Sequence, residues 1–146
     1  MYWSLYLRRH IVFVPTTGKL DSPVYREMEP VDVIPLSNTD GVRRALLSAI
    51  TRGNPSAPAY TSGNFPPPVL LKYAGVKNWS AFERGASTWG IEQTDGIYQI
   101  VGYRRSTKGY WEPDPDQKIP FPSGTSVDAV IDRMIAILQE AAARHS

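Results

Sequence analysis

Three carboxylates alternate with prolines in one short stretch, and this is where the sequence comes nearest to a metal-binding loop. Glu112, Asp114 and Asp116 stand two residues apart, a spacing also found in calcium-binding loops. The glycine that such a loop requires for its sharp turn is absent, and two prolines stiffen the stretch. We therefore predict a solvated acidic turn, with no bound metal and no cofactor.

Few residues offer a nucleophile or a general base. The chain has no cysteine and two histidines, His10 between arginines and His145 in the terminal tail. No serine has the G-x-S-x-G spacing, and no phosphate-binding or dinucleotide-binding glycine pattern occurs. An enzyme that uses His10 or the acidic stretch is the remaining catalytic alternative. We expect His10 to be a surface residue and the protein not to be an enzyme.

Arginine pairs and aromatic residues suggest a binding surface. The pairs are Arg8-Arg9, Arg43-Arg44 and Arg104-Arg105, and aromatic residues surround the last of them. Such residues on a sheet can stack bases and contact phosphates, and they also dominate protein–protein hot spots. Neighbouring strand residues point to opposite faces, so Arg104 and Arg105 cannot line one patch. An ordinary solvated sheet face is the third interpretation.

Length and composition narrow the class of protein. A chain of 146 residues has the size of one domain, so a single domain over residues 1–146 is expected. Its 16 basic and 14 acidic residues give a net charge of +2, which neither demands nucleic acid nor supplies the acidic surface of a nucleic-acid mimic. No stretch approaches the ~20 apolar residues of a membrane span, and the N-terminal residues do not follow the signal-peptide pattern. We therefore expect a cytoplasmic protein that does not bind membranes.

The apolar patterns predict an antiparallel sheet of five or six strands. Trp3, Leu5 and Leu7 alternate with other residues, which predicts a strand with one buried face. Further strands are predicted over 11–14, 24–34 and 117–121, and Pro30 should place its strand at an edge or at a bulge.

The pair Asp95-Gly96 predicts the turn of a two-residue hairpin between strands 88–94 and 97–105. In that register Trp89 opposes Gly102, and the missing side chain of Gly102 would leave room for the indole.

Two longer helices complete an α+β fold, in which we expect both to cover one side of the sheet. The first spans 37–52, with Ser37 as its N-cap and Gly53 after its end, and its apolar residues recur at helical spacing. The second is C-terminal and begins at a Thr125 cap. A short helix is predicted over 79–85 after Asn78, and the proline-rich stretch 53–68 is predicted to be a stiff connection over the core.

Several stretches taken together resemble small bacterial immunity proteins of the contact-dependent growth inhibition type, reported especially from Burkholderia-like genomes. They are residues 3–8, 69–84 (VLLKYAGVKNWSAFER), 95–98 (DGIY), 122–125 (PSGT) and 130–135 (VIDRMI). The resemblance implies a cytoplasmic inhibitor that binds the C-terminal toxin domain delivered by a neighbouring cell, often a nuclease, and blocks its active site. Inhibitors of nucleases are often acidic, so the net charge of +2 is a departure from that pattern.

We therefore predict a non-enzymatic immunity protein, a monomer or small homo-oligomer, whose partner is a toxin domain. The alternative is a β-sheet RNA-binding module that uses the arginine pairs. The predicted toxin-binding residues combine rigid aromatic area with charges that set orientation. They are Tyr103, Arg105, Tyr110, Trp111, Glu112, Asp114 and Asp116.

Overall fold

The computed structural model describes residues 1–21, 24–58 and 66–144. The strands in this part of the chain are β1 (Tyr2–Arg8), β2 (Ile11–Lys19), β3 (Tyr25–Pro35), β4 (Ala86–Thr94), β5 (Ile97–Arg105) and β6 (Trp111–Pro120). The helices are α1 (Thr39–Arg52), α2 (Leu70–Ala74), α3 (Trp79–Glu83) and α4 (Val127–Arg144). The six strands form one antiparallel sheet in the order β3-β2-β1-β4-β5-β6. The α+β prediction is confirmed.

The first face of the sheet carries the larger core. Trp3, Leu5 and Leu7 of β1 pack there with residues of α1 and α4, and each is at most 5% exposed. The apolar stripe of α4 includes Ile131 and Met134, which are fully buried. Both long helices therefore lie on one side of the sheet, as the sequence predicts.

The second face is also covered in part, which the alternation in β1 does not predict. Tyr6 of β1 and Phe13 of β2 form a second core with Leu70, Leu71 and Phe82 from α2 and α3. The rings of Tyr6 and Phe82 meet edge to face at 5.4 Å. The prediction of one buried face for β1 is wrong, because two short helices far along the chain cover part of the other face.

The hairpin prediction is confirmed residue by residue. Asp95 and Gly96 both have positive φ, and Trp89 opposes Gly102. Trp89, however, packs into the first core, and the space beside Gly102 is filled by Gln117 of β6. The predicted role of Gly102 as room for the Trp89 indole is therefore wrong.

Proline residues mark both edges of the sheet. Pro30 lies in edge strand β3, opposite an irregularity at Pro15/Thr16, so both predicted consequences of Pro30 occur. The other edge strand, β6, contains Pro113 and Pro115. Strand β6 covers residues 111–120, so the predicted acidic turn and the shorter strand over 117–121 are corrected to one continuous strand. Proline has no N–H to offer a further strand, which blunts both edges.

The helix caps lie one residue beyond those predicted. Asn38, not Ser37, caps α1 by accepting a hydrogen bond from the Gly41 N–H at 3.0 Å. Ser126, not Thr125, accepts from the first turn of α4. Gly53 ends α1 with a positive φ, as predicted.

Two predictions fall wholly or partly outside the described residues. Residues 59–65 of the predicted connection over 53–68 are not described, and neither is His145. Ahead of that gap, Ser56 forms a parallel bridge with Lys19 at the end of β2. Among the described residues, no helix is long and apolar enough to cross a membrane.

We expect Asn38→Ala to lower the free energy of unfolding by about 1 kcal/mol, because an N–H at the start of α1 loses its partner. Ser37→Ala is the matched control and should change it by less than about 0.5 kcal/mol. Urea unfolding of the two variants checks this, and an equal loss in both would contradict the Asn38 cap.

Candidate functional site

A cavity of about 990 Å³ lies on the second face of the sheet, beside α2. We call it the sheet cavity. Its floor contains Ser4, Tyr6, Thr17 and Thr88, each at most 7% exposed. Its aromatic lining consists of Tyr2, Tyr25, Tyr103 and Trp111.

Strand alternation explains why these side chains meet. Residues Tyr2, Ser4 and Tyr6 of β1 point away from the face that carries Trp3, Leu5 and Leu7. Gly90 of β4 lies opposite Ser4, and a side chain at Gly90 would clash with the Tyr2 ring. The absence of that side chain lets Tyr2 lie across β4 and reach the cavity.

The Glu27 carboxyl group lies at the floor of the sheet cavity. Ser4 Oγ donates a hydrogen bond to Glu27 Oε2 at 2.5 Å, and the Tyr6 hydroxyl donates to the same carboxyl group. Glu27 is half-buried, and desolvation of its carboxyl group raises the pKa of Glu27 above its ordinary value, an effect that the two hydrogen bonds offset only in part. The floor is therefore a polar site in which ionisation of Glu27 is disfavoured.

Tyrosines form a connected wall above this floor. The hydroxyl oxygens of Tyr2 and Tyr103 are 2.8 Å apart, within hydrogen-bond distance. The Tyr2 and Tyr25 ring centroids are 5.5 Å apart. Burial is the main cause that raises the pKa of both Tyr2 and Tyr103, so both hydroxyls stay protonated at neutral pH.

The rim of the sheet cavity is charged and exposed. Lys72 pairs with Glu29, which also accepts a hydrogen bond from the Tyr73 hydroxyl at 2.8 Å. Arg26 donates to the Pro58 carbonyl at 2.6 Å. The cavity therefore passes from ion pairs at its rim to tyrosine rings and then to hydroxyls and a carboxyl group.

Three of the seven predicted contact residues lie at or beside the sheet cavity. Tyr103 and Trp111 line it, and the Arg105 guanidinium lies 5.3 Å from the Trp111 ring centroid while it pairs with Glu83. Tyr110 lies outside the lining and is 54% exposed. The Trp111 Nε1–H is buried and has no hydrogen-bond partner among the described residues.

The three predicted acidic residues, Glu112, Asp114 and Asp116, do not line the sheet cavity. Arg104 pairs with Glu112 at 3.2 Å and with Asp114 at 3.7 Å. Strand alternation places these pairs on the sheet face opposite Trp111. Hydrogen bonds from Gln117 and from the Asp116 N–H lower the pKa of Asp114, and Asp116 itself is exposed. The seven residues therefore do not form one contiguous surface.

Sequence reasoning missed the residues that build the floor and much of the wall. The alternation in β1 predicts that Tyr2, Ser4 and Tyr6 lie on its unburied side. The sequence analysis assigns no functional role to Tyr25 or Glu27. Their alternation in two strands was the available signal. It places them on one face of each strand, but it does not reveal that β3 brings Glu27 to Ser4.

The catalytic alternative gains no support from geometry. His10 lies exposed in the turn between β1 and β2, beside a smaller cleft of about 420 Å³. Within residues 1–21, 24–58 and 66–144, no three His, Asp or Glu residues come together as a metal site.

Comparisons with known proteins give information about the fold but not about the function. No protein-family model matches the sequence, and no curated protein matches it. A solved structure of a protein of unknown function from Neisseria meningitidis matches with a TM-score of 0.66 and 11% sequence identity. The match covers 96% of this chain and 93% of that one. At this identity the likeness shows a shared fold.

The buried carboxyl group predicts a pH dependence of stability. Because the pKa of Glu27 is raised above 4.5 in the folded state, the folded chain binds this proton more tightly than the unfolded chain. Its contribution to stability is complete below about pH 4.5 and is lost as the pH rises through the folded-state pKa. Glu27→Gln should therefore gain stability relative to the wild type over that window, as measured by urea unfolding at a series of pH values.

Glu29→Gln is the matched control on the same strand. Hydrogen bonds from Lys72 and Tyr73 lower the pKa of Glu29, so its effect has the opposite sign: the stability it adds is present above about pH 4.5 and lost as the pH falls. Its exposure to solvent keeps that effect small. If the stability curves of Glu27→Gln and the wild type run parallel across the pH range, the raised pKa of Glu27 in the folded state would be contradicted.

Proposed function

We propose that this chain is a non-enzymatic, cytoplasmic immunity protein that binds a cognate toxin domain and occludes its active site. The observation that supports this most directly is the sheet cavity, an open concave surface lined by Tyr2, Tyr25, Tyr103 and Trp111. The proposal also rests on the resemblance of the sequence to immunity proteins of contact-dependent growth inhibition.

The composition of the sheet cavity suits a protein partner. Tyrosine and tryptophan in recessed positions are the residues that carry most binding energy at protein interfaces, and they lose little conformational freedom on binding. At about 990 Å³, the cavity is at the upper end of the ~300–1,000 Å³ typical of small-molecule sites. Its opening at the surface and its recessed floor fit a projecting segment of another protein.

Two features of the lining support binding of a partner in the sheet cavity. A buried indole N–H without a partner, as at Trp111, costs about 1–3 kcal/mol, and such costs are often tolerated for function. The charged rim formed by Lys72 and Glu29 would steer association and set orientation.

The RNA-binding alternative has less support, because four of the six arginines in its three pairs are engaged within the chain: Arg8, Arg43, Arg104 and Arg105. Arg8 is buried and donates to the Phe82 carbonyl at 3.1 Å. Arg104 pairs with two carboxylates, and Arg105 pairs with Glu83. These guanidinium groups would have to exchange internal partners for phosphates.

The test is co-expression with the product of the gene immediately upstream. We expect the two purified proteins to elute as one complex from a size-exclusion column, and we expect growth arrest by the upstream product alone to be relieved by this chain. An upstream product that elutes separately and arrests growth in the presence of this chain would contradict the proposal. Retention on RNA at low salt that falls steeply as salt rises would favour the alternative.

A pair of tyrosine variants locates the contact surface. Tyr25→Ala removes a ring from the sheet cavity and should weaken the complex about tenfold or more. Tyr110→Ala removes an exposed ring outside it and should change affinity by less than about threefold. Isothermal titration calorimetry measures both, with melting temperatures as the folding control. The reverse order of effects would place the contact at the Ser106–Gly109 turn and not at the cavity.

A further inference from the structure

The floor of the sheet cavity has spare hydrogen-bond acceptors and few spare donors. The Ser4 and Tyr6 hydroxyls already donate to Glu27, and Thr88 Oγ1 donates to the Leu5 carbonyl at 2.9 Å. A carboxylate has about four acceptor positions, so Glu27 keeps acceptor capacity after these two bonds. Thr17 Oγ1 accepts from the Ser4 N–H at 3.2 Å, which leaves its own hydroxyl hydrogen as a donor. A ligand group that brings N–H or O–H donors is therefore the better match to the acceptors of Glu27.

The Glu27 charge lacks a counter-ion within the described chain. None of the ion pairs among residues 1–21, 24–58 and 66–144 includes Glu27. Lys72, a cation of the rim, is paired with Glu29. A half-buried carboxylate without a cationic partner has lost part of its hydration uncompensated, and a cation brought by a ligand would relieve that cost.

The aromatic wall also favours a positively charged ligand. Tyr2 and Tyr25 lie with ring centroids 5.5 Å apart, and Tyr103 is held to Tyr2 through their hydroxyls. The faces of aromatic rings attract ammonium and guanidinium groups, and the attraction is strongest where water is excluded. The cations of the lining, Arg26, Lys72 and Lys77, belong to the rim, whereas a group that passes the rings meets the Glu27 carboxylate at the floor.

We propose that the sheet cavity is a receptor for a basic side chain, a lysine ammonium or an arginine guanidinium, with Glu27 as its counter-ion. The identity of that side chain as part of a toxin domain rests on the proposed function. The proposal that the cavity binds a basic side chain does not depend on the proposed function. Occlusion by this route would place a positively charged residue of the partner beside the contacting rings of Tyr2 and Tyr25 and against the floor.

The test titrates small probes into the full chain and follows backbone amide shifts by NMR. The basic probes are N-acetyl-arginine methylamide and N-acetyl-lysine methylamide, and the acidic comparator is N-acetyl-glutamate methylamide. We expect saturable shifts of Ser4, Thr88 and Tyr103 with a basic probe at millimolar concentration. Glu27→Gln should weaken this binding about tenfold or more.

Two further variants keep the test decisive. Glu112→Gln removes a carboxylate from the opposite sheet face and should bind the basic probes as the wild type does. Tyr25→Leu removes a ring from the wall without touching the floor, and it should weaken binding even if Glu27→Gln fails to fold. Absence of floor shifts with both basic probes, equal affinity in the wild type and the folded Glu27→Gln, or tighter binding of the acidic probe would overturn the proposal.

The same variants separate this inference from the immunity function. If neither basic probe shifts the floor amides and the upstream gene product still co-elutes with the wild type, the receptor proposal fails while the immunity function stands. If the basic probes bind through Glu27 and the upstream product does not co-elute, the receptor proposal stands and the immunity function fails.

Discussion

The burial of β1 on both faces is the constraint on which the rest of the structure depends. This strand lies inside the sheet between β2 and β4, and its alternate residues enter two different environments. One face supplies Trp3, Leu5 and Leu7 to an apolar core beneath the long helices. The other supplies Tyr2, Ser4 and Tyr6 to a face that α2 and α3 cover only in part. The sheet cavity is the part of this second face that those short helices leave open.

The energetics of the two faces differ accordingly. Burial of apolar side chains on the first face stabilises the fold, by about 1.5–3 kcal/mol for each large side chain removed from water. The second face instead holds a carboxyl group in a site where burial disfavours its charge, and an indole N–H without a partner. Polar groups without a full set of partners are expected at functional sites, and the stability that they cost is offset elsewhere in the fold. That contrast is the physical reason for proposing the second face as the binding surface.

Local patterns predicted most of the framework, and long-range contacts explain most of the errors. Asp95-Gly96 specifies its hairpin register by turn chemistry alone. The cap errors arose because both residues in each adjacent pair, Ser37-Asn38 and Thr125-Ser126, are of types that can cap a helix. The proline-rich acidic stretch was predicted as a turn, because pairing with β5 across a bulge is invisible in local sequence. The contact of Glu27 with Ser4 requires the register of a three-strand segment, which no short pattern contains. The candidate site was therefore predicted only at Tyr103, Arg105 and Trp111.

The central claim is that the Glu27 carboxyl group is held in a partly desolvated site at the floor of the sheet cavity. The most direct measurement is a titration of the glutamate side-chain carbons by ¹³C NMR, with the Glu27 resonance assigned by its loss in Glu27→Gln. The account predicts a midpoint above the ordinary value of 4.5 for Glu27. A midpoint at or below that value would show that the carboxyl group is solvated or already paired with a cation, and it would contradict the account.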